Sequence, residues 1–128
     1  MKSTNYYNTF ISVAQTCKKT AGTIPPQKTP PTVAQLEYEI ITANPYSLTS
    51  DEIQFEVYKR RNKNACLEDF AKINHACFRC SSLSQNYGWG FHFNEDGKVA
   101  LFAVESEDYQ HLLDNGEITQ KLAFSSTK

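Results

Sequence analysis

The sequence predicts an α+β fold: a small antiparallel sheet built around a hairpin over residues 87–104, packed with about four helices. Three observations carry this expectation. Two runs of strand-forming residues, Tyr87 to Phe93 and Lys98 to Val104, flank Glu95-Asp96-Gly97, which suits a type I turn followed by a glycine in the left-handed region. Two other stretches open with capping boxes, Thr32-x-x-Gln35 and Thr49-x-x-Glu52, whose side chains satisfy the free amides at a helix start. A chain of 128 residues, 40% hydrophobic and 21% charged, is long enough for one domain, 1–128, with a core of its own.

In chain order, residues 9–14 are short, β-branched and aromatic and read as a strand. Residues 20–31 follow as a connector, kept extended by prolines at 25, 26, 30 and 31. Those prolines miss the P-x-x-P spacing of an SH3-type ligand, so the stretch is read as a surface connector. Thr32 opens the first helix, with Val33, Leu36 and Ile40 in one apolar stripe and Asn44-Pro45 as its stop.

Thr49 opens the second helix, with Leu48 and Ile53 in the positions of a hydrophobic staple. Its first turn is acidic and its last carries Lys59, Arg60 and Arg61, as the helix dipole favours. Ile53, Phe55 and Val57 alternate as a strand would, but caps and charges agree on a helix. Asn64 is placed as the cap of a third, shorter helix carrying Leu67, Phe70 and Ile73. Ser106 opens a fourth, which carries Tyr109, Leu112 and Leu113 and ends at Asn115-Gly116. Residues 119–128 are weakly patterned and read as a weakly ordered tail.

Within the hairpin, alternation puts Tyr87, Trp89, Phe91 and Phe93 on one face and Gly88, Gly90 and His92 on the other. If Asn94 pairs with Lys98, then Gly90 faces Phe102, Gly88 faces Val104 and His92 faces Ala100. Bare backbone of this kind invites a covering helix, the Phe102 ring, or a ligand. Both faces of Val99–Val104 are apolar, which favours a covered face over a ligand.

Cys77-x-Arg79-x-Ser81-x-Leu83, followed by Tyr87-Gly88-Trp89-Gly90-x-His92, resembles the signature of a small, mostly bacterial family of uncharacterised single-domain proteins. The likeness extends upstream through Leu36-Glu37-Tyr38-Glu39, Asn44-Pro45-Tyr46 and residues 49–52, and downstream through residues 97–101 and 105–109. The resemblance implies one whole domain and supplies no activity.

The net charge of −1 gives no overall attraction to nucleic acid or an anionic membrane. No segment has the apolar length of a membrane span. The N-terminal residues lack the apolar region of a secretory signal, so a cytoplasmic protein with reduced Cys17, Cys66, Cys77 and Cys80 is expected. His75-x-Cys77-x-x-Cys80, with Cys66 or His92 to complete a set, offers zinc-type ligands. Without a second paired motif, buried or half-buried thiols are the preferred reading, and no metal and no cofactor is expected. Lys59 to Lys63 is the one basic run and lacks interleaved aromatics, so nucleic acid is not an expected partner.

Two functional classes follow. The first is a non-enzymatic binding or interaction module, with a small molecule or a protein as partner, whose surface involves Arg79, Ser81, Tyr87, Trp89 and His92. The second is a small enzyme with Cys77 as nucleophile, His92 as base and Arg79 supplying positive charge. The first is preferred. A common cleft holding Arg79 and His92 would favour the second.

Overall fold

Four strands form one sheet in the computed structural model, which describes residues 2–125. They are β1 (Thr9–Ser12), β2 (Trp89–Phe93), β3 (Val99–Ala103) and β4 (Thr119–Leu122), in the order β3-β2-β1-β4. The helices are α1 (Val33–Ala43), α2 (Ser50–Arg61), α3 (Leu67–Ala71), α4 (Ser82–Asn86) and α5 (Glu107–Leu113), with a 3-10 turn at Phe78–Cys80. The α+β architecture is therefore as the sequence predicts. β1, β2 and β3 pair antiparallel, whereas β4 lies parallel to β1 and makes the sheet mixed.

The hairpin register is the expected one. Gly90 stands opposite Phe102, His92 opposite Ala100, and Gly97, at φ +78°, closes the turn onto the Asn94 carbonyl. Two details differ. Tyr87 ends α4 in a helical conformation and Gly88 adopts φ +83°, so the strand starts at Trp89 and Tyr87 is not part of its aromatic face. The Gly90 backbone is covered by the rings of Phe10 and Tyr109, not by Phe102. A Cβ built there would stand 2.7 Å from Phe10 Cζ and 2.8 Å from Tyr109 Cε2. The covering element is α5, which carries Tyr109, together with β1.

The other sheet face holds the main core. Ile11, Phe91, Phe93 and Val99 pack there against Leu36, Ile40 and Ile41 of α1, Ile53 and Val57 of α2, Phe78 and Leu83. Phe78 stacks on Phe91 with centroids 4.6 Å apart, which brings the 3-10 turn down onto β2. The outer edge of β3 is closed by residues 46–48, where Tyr46 and Val99 each donate a backbone bond across the gap.

Capping explains where the helices begin. The Thr49–Glu52 box is complete in both directions. At α1 only half forms: Thr32 accepts from the Gln35 amide, but the Gln35 side chain turns to Gln27, Lys28 and Glu39. Val33 is exposed, so the buried stripe of α1 begins at Ala34. In α2, Ile53 and Val57 are buried one turn apart while Phe55 leans on Phe70 of α3. The apparent strand alternation thus serves two different contacts. α3 starts after Cys66; Asn64 sits at φ +63° in the preceding turn, and Leu67 and Ile73 are exposed, leaving Phe70 as its buried residue.

Residues 119–122 are strand β4 where a weakly ordered tail is expected. Exposed side chains give it no hydrophobic pattern. Backbone pairing to β1 and an Arg79 Nε bond to the Leu122 carbonyl hold it instead. Residues 126–128, the end of that expected tail, lie outside the described residues.

Candidate functional site

A cleft of about 290 Å³ opens between α1, α2 and residues 76–82. Its floor is a carboxyl group. Glu37 lies on the buried side of α1 with Ala34, Ile40 and Ile41, only 6% exposed. The sequence places it there because residues 34, 37 and 41 recur at helical spacing. Ser81 Oγ donates to Glu37 Oε1 at 2.7 Å and accepts from the Leu83 amide, so the residue that caps α4 also fixes the carboxyl. Burial pushes Glu37 up from 4.5 to about 7; the Ser81 hydroxyl favours the ionised form but offsets this only in part.

The second carboxyl oxygen makes no hydrogen bond to a described residue. Yet no fully buried side-chain N or O atom among the described residues lacks a partner. Oε2 is therefore the oxygen that opens on the cleft.

The walls are built by longer-range contacts. Gln54 of α2 donates through Nε2 to the Ala76 carbonyl at 2.7 Å and to Thr4 Oγ1 at 3.2 Å, tying the 76–82 segment to the helix. Tyr6 Oη donates to Cys77 Sγ at 3.2 Å, and burial together with that thiol pushes the phenol up to about 12. Cys80 stands at the exposed rim, its thiol pushed up by burial and by the neighbouring Cys77. No lysine, arginine or histidine lines the cleft among the described residues. Arg79, between the two cysteines, turns away: beyond its bond to Leu122, its guanidinium lies 4.1 Å from the centre of the Phe124 ring.

Of the residues expected to bind or react, the structure gathers only Cys77 and Ser81 in this cleft. Trp89 spends its indole N–H on the Thr23 carbonyl at 2.8 Å and packs on Tyr38, so its polar edge is taken by the connector. Tyr87 borders the core and gives its carbonyl to Thr23.

His92 points to the opposite side of the sheet from Cys77. Phe91 and Phe93, its neighbours in β2, face Phe78 and the Cys77 segment, and alternation turns His92 away from them. There its Nδ1 lies 2.7 Å from the hydroxyl of Tyr46, which holds φ +56°; burial lowers the imidazole and raises the phenol. The thiol–imidazole pair and the shared Arg79–His92 cleft are thus not assembled. Cys77, Arg79 and Ser81 do not share a strand face either, because the segment is a 3-10 turn leading into α4. His75 stacks on Phe70 at 4.1 Å. Among the described residues no group of three or more His, Cys, Asp or Glu is placed to hold a metal ion.

Sequence reasoning missed Glu37, Gln54 and Tyr6. Only Glu37 left a signal, a carboxylate within an apolar helical stripe. The other two contribute through contacts 22 to 71 residues away in the chain.

The chain belongs to a family of unknown function, DUF6157, whose model matches residues 1–128. No curated protein and no solved structure matches it. Among the described residues no helix is long and apolar enough to cross a membrane.

Proposed function

We propose that this protein is a non-enzymatic small-molecule-binding domain, and that its ligand enters the Glu37 cleft with a protonated amine or comparable hydrogen-bond donor. The observation that carries this reading is the Glu37 carboxyl itself. A buried, ionisable group with one hydrogen-bond partner costs stability, and its second oxygen has no partner among the described residues in a cleft that Glu37 lines. With no cation in the wall, anionic ligands meet an acidic floor and are disfavoured, while a cation gains from Glu37 ionisation. Val33, Ala34 and Phe78 supply apolar lining for the rest of the ligand. Four free cysteines fit a reducing, cytoplasmic setting, and the near-zero net charge fits a partner other than nucleic acid.

The test uses butylammonium, butanol and butyrate as size-matched probes, followed by amide NMR shifts. Butylammonium is expected to shift Ala34, Cys80 and Ser81 saturably, on the order of millimolar affinity for so few atoms, and Glu37→Gln should abolish the response. Equal or better binding of butyrate, no binding by any of the three, or unchanged butylammonium binding in Glu37→Gln would contradict the reading.

A further inference from the structure

We infer that Cys77 and Cys80 form a dithiol–disulfide site that takes small disulfides as its substrate class. The inference stands independently of what the Glu37 cleft binds.

The geometry of the turn carries it. Cys80 donates its backbone N–H to the Cys77 carbonyl at 3.0 Å, closing the 3-10 turn Phe78–Cys80. An i to i+3 turn of this kind keeps the end Cα atoms within about 7 Å, at the edge of or inside the window of about 4.4–6.8 Å that a disulfide spans. Cys77 precedes the turn in an extended conformation, and its thiol lies within hydrogen-bonding reach of the Cys80 thiol. Both line the same cleft. The intervening Arg79 is held by Leu122 and Phe124 and is not among the residues lining the cleft. Tyr6 Oη donates to Cys77 Sγ at 3.2 Å and restrains it.

The accessibilities assign the order of events. Cys80 is exposed and Cys77 only partly so, so Cys80 meets the disulfide first; its raised thiol makes that attack slow near neutral pH and faster as pH rises. The Cys80 thiol gives up its proton and its sulfur attacks one sulfur of a small disulfide RSSR. The S–S bond breaks, and the leaving RS⁻ takes a proton to become RSH. Cys77 then loses its proton and attacks the Cys80 sulfur of the mixed disulfide, and a second RS⁻ departs as RSH. The net change oxidises two protein thiols to one disulfide and reduces RSSR to two RSH, with the two protons accounted for. Cys66, before α3, and Cys17, beyond β1, are not among the residues lining this cleft and serve as internal controls.

The experiment exposes the native full chain to oxidised glutathione, quenches with acid, and maps the products by non-reducing mass spectrometry after trypsin. Trypsin cuts after Lys72, Arg79 and Lys98, so a Cys77–Cys80 disulfide joins peptide 73–79 to peptide 80–98 with the loss of two hydrogens. The expected result is that this linked pair forms and no glutathione remains on either peptide. Cys77→Ala should instead trap a stable glutathione adduct on Cys80. A wild-type protein that retains glutathione on Cys80 without the linked pair would overturn the inference. So would one whose Cys77 and Cys80 stay reduced while Cys66 or Cys17 is modified. The wild-type readout needs no variant to fold.

Discussion

Replacing Gly90 by valine tests how the second face of the sheet is closed. A Cβ at this position would meet Phe10 Cζ at 2.7 Å, Tyr109 Cε2 at 2.8 Å and Phe10 Cε1 at 2.9 Å, all closer than real Cβ contacts allow. Neither ring can swing out freely. Phe10 is fully buried, and the Tyr109 hydroxyl accepts the Val13 amide at 2.9 Å. Moving Tyr109 would strand that amide at a further cost of about 1 kcal/mol. Forced extra atoms in a packed site cost about 1–3 kcal/mol. Against this, valine gains up to about 1 kcal/mol over glycine as a strand former. The balance is a net destabilisation of about 1–3 kcal/mol. Urea melts read it as a lower midpoint at unchanged slope. A neutral or stabilising result would refute the packing of α5 and β1 over Gly90 and leave that face open in the protein.

Glu37→Gln should change the pH dependence of stability in a defined direction. The folded value of about 7 lies above the ordinary 4.5, so the neutral carboxyl's contribution is complete below about pH 4.5 and is lost as pH rises to about 7. At about 1.4 kcal/mol per pH unit the variant should match the wild type near pH 4 and exceed it by about 3 kcal/mol at pH 8. A constant difference across that range would contradict the burial of Glu37. Thr49→Ala should cost about 1 kcal/mol by removing the capping box at the start of α2; a loss too small to resolve by thermal melting would show that the box is idle.

The parts of the fold legible in the sequence are those whose signals are local. The hairpin was written by a turn glycine at 97 and two flanking strand-forming runs, and it appears with the register that an Asn94–Lys98 pairing gives. The start of α2 was written by Thr49 and Glu52, which are neighbours. What escaped depends on distant partners. β4 is exposed throughout and owes its place to β1, more than a hundred residues earlier. α4 is a single short turn whose Ser81 cap also serves Glu37, 44 residues away.

The site was only partly legible for the same reason. Cys77 and Ser81 could be singled out as residue types, and both reach the cleft. The expected surface of Arg79, Tyr87, Trp89 and His92 assumed that sequence neighbours share an exposure. Tertiary contacts send three of them elsewhere: Arg79 to β4, Trp89 to the connector, His92 to Tyr46 on the far face. The carboxyl that replaces them as the leading feature becomes unusual only when α1 is buried.

The direct measurement is the titration of the Glu37 side-chain carboxyl by carbon NMR, its signal assigned by disappearance in Glu37→Gln. A midpoint near 7 is expected in the free protein, moving down when butylammonium is added because the cation favours the ionised form. A midpoint at the ordinary value of about 4.5, unmoved by the amine, would contradict this expectation.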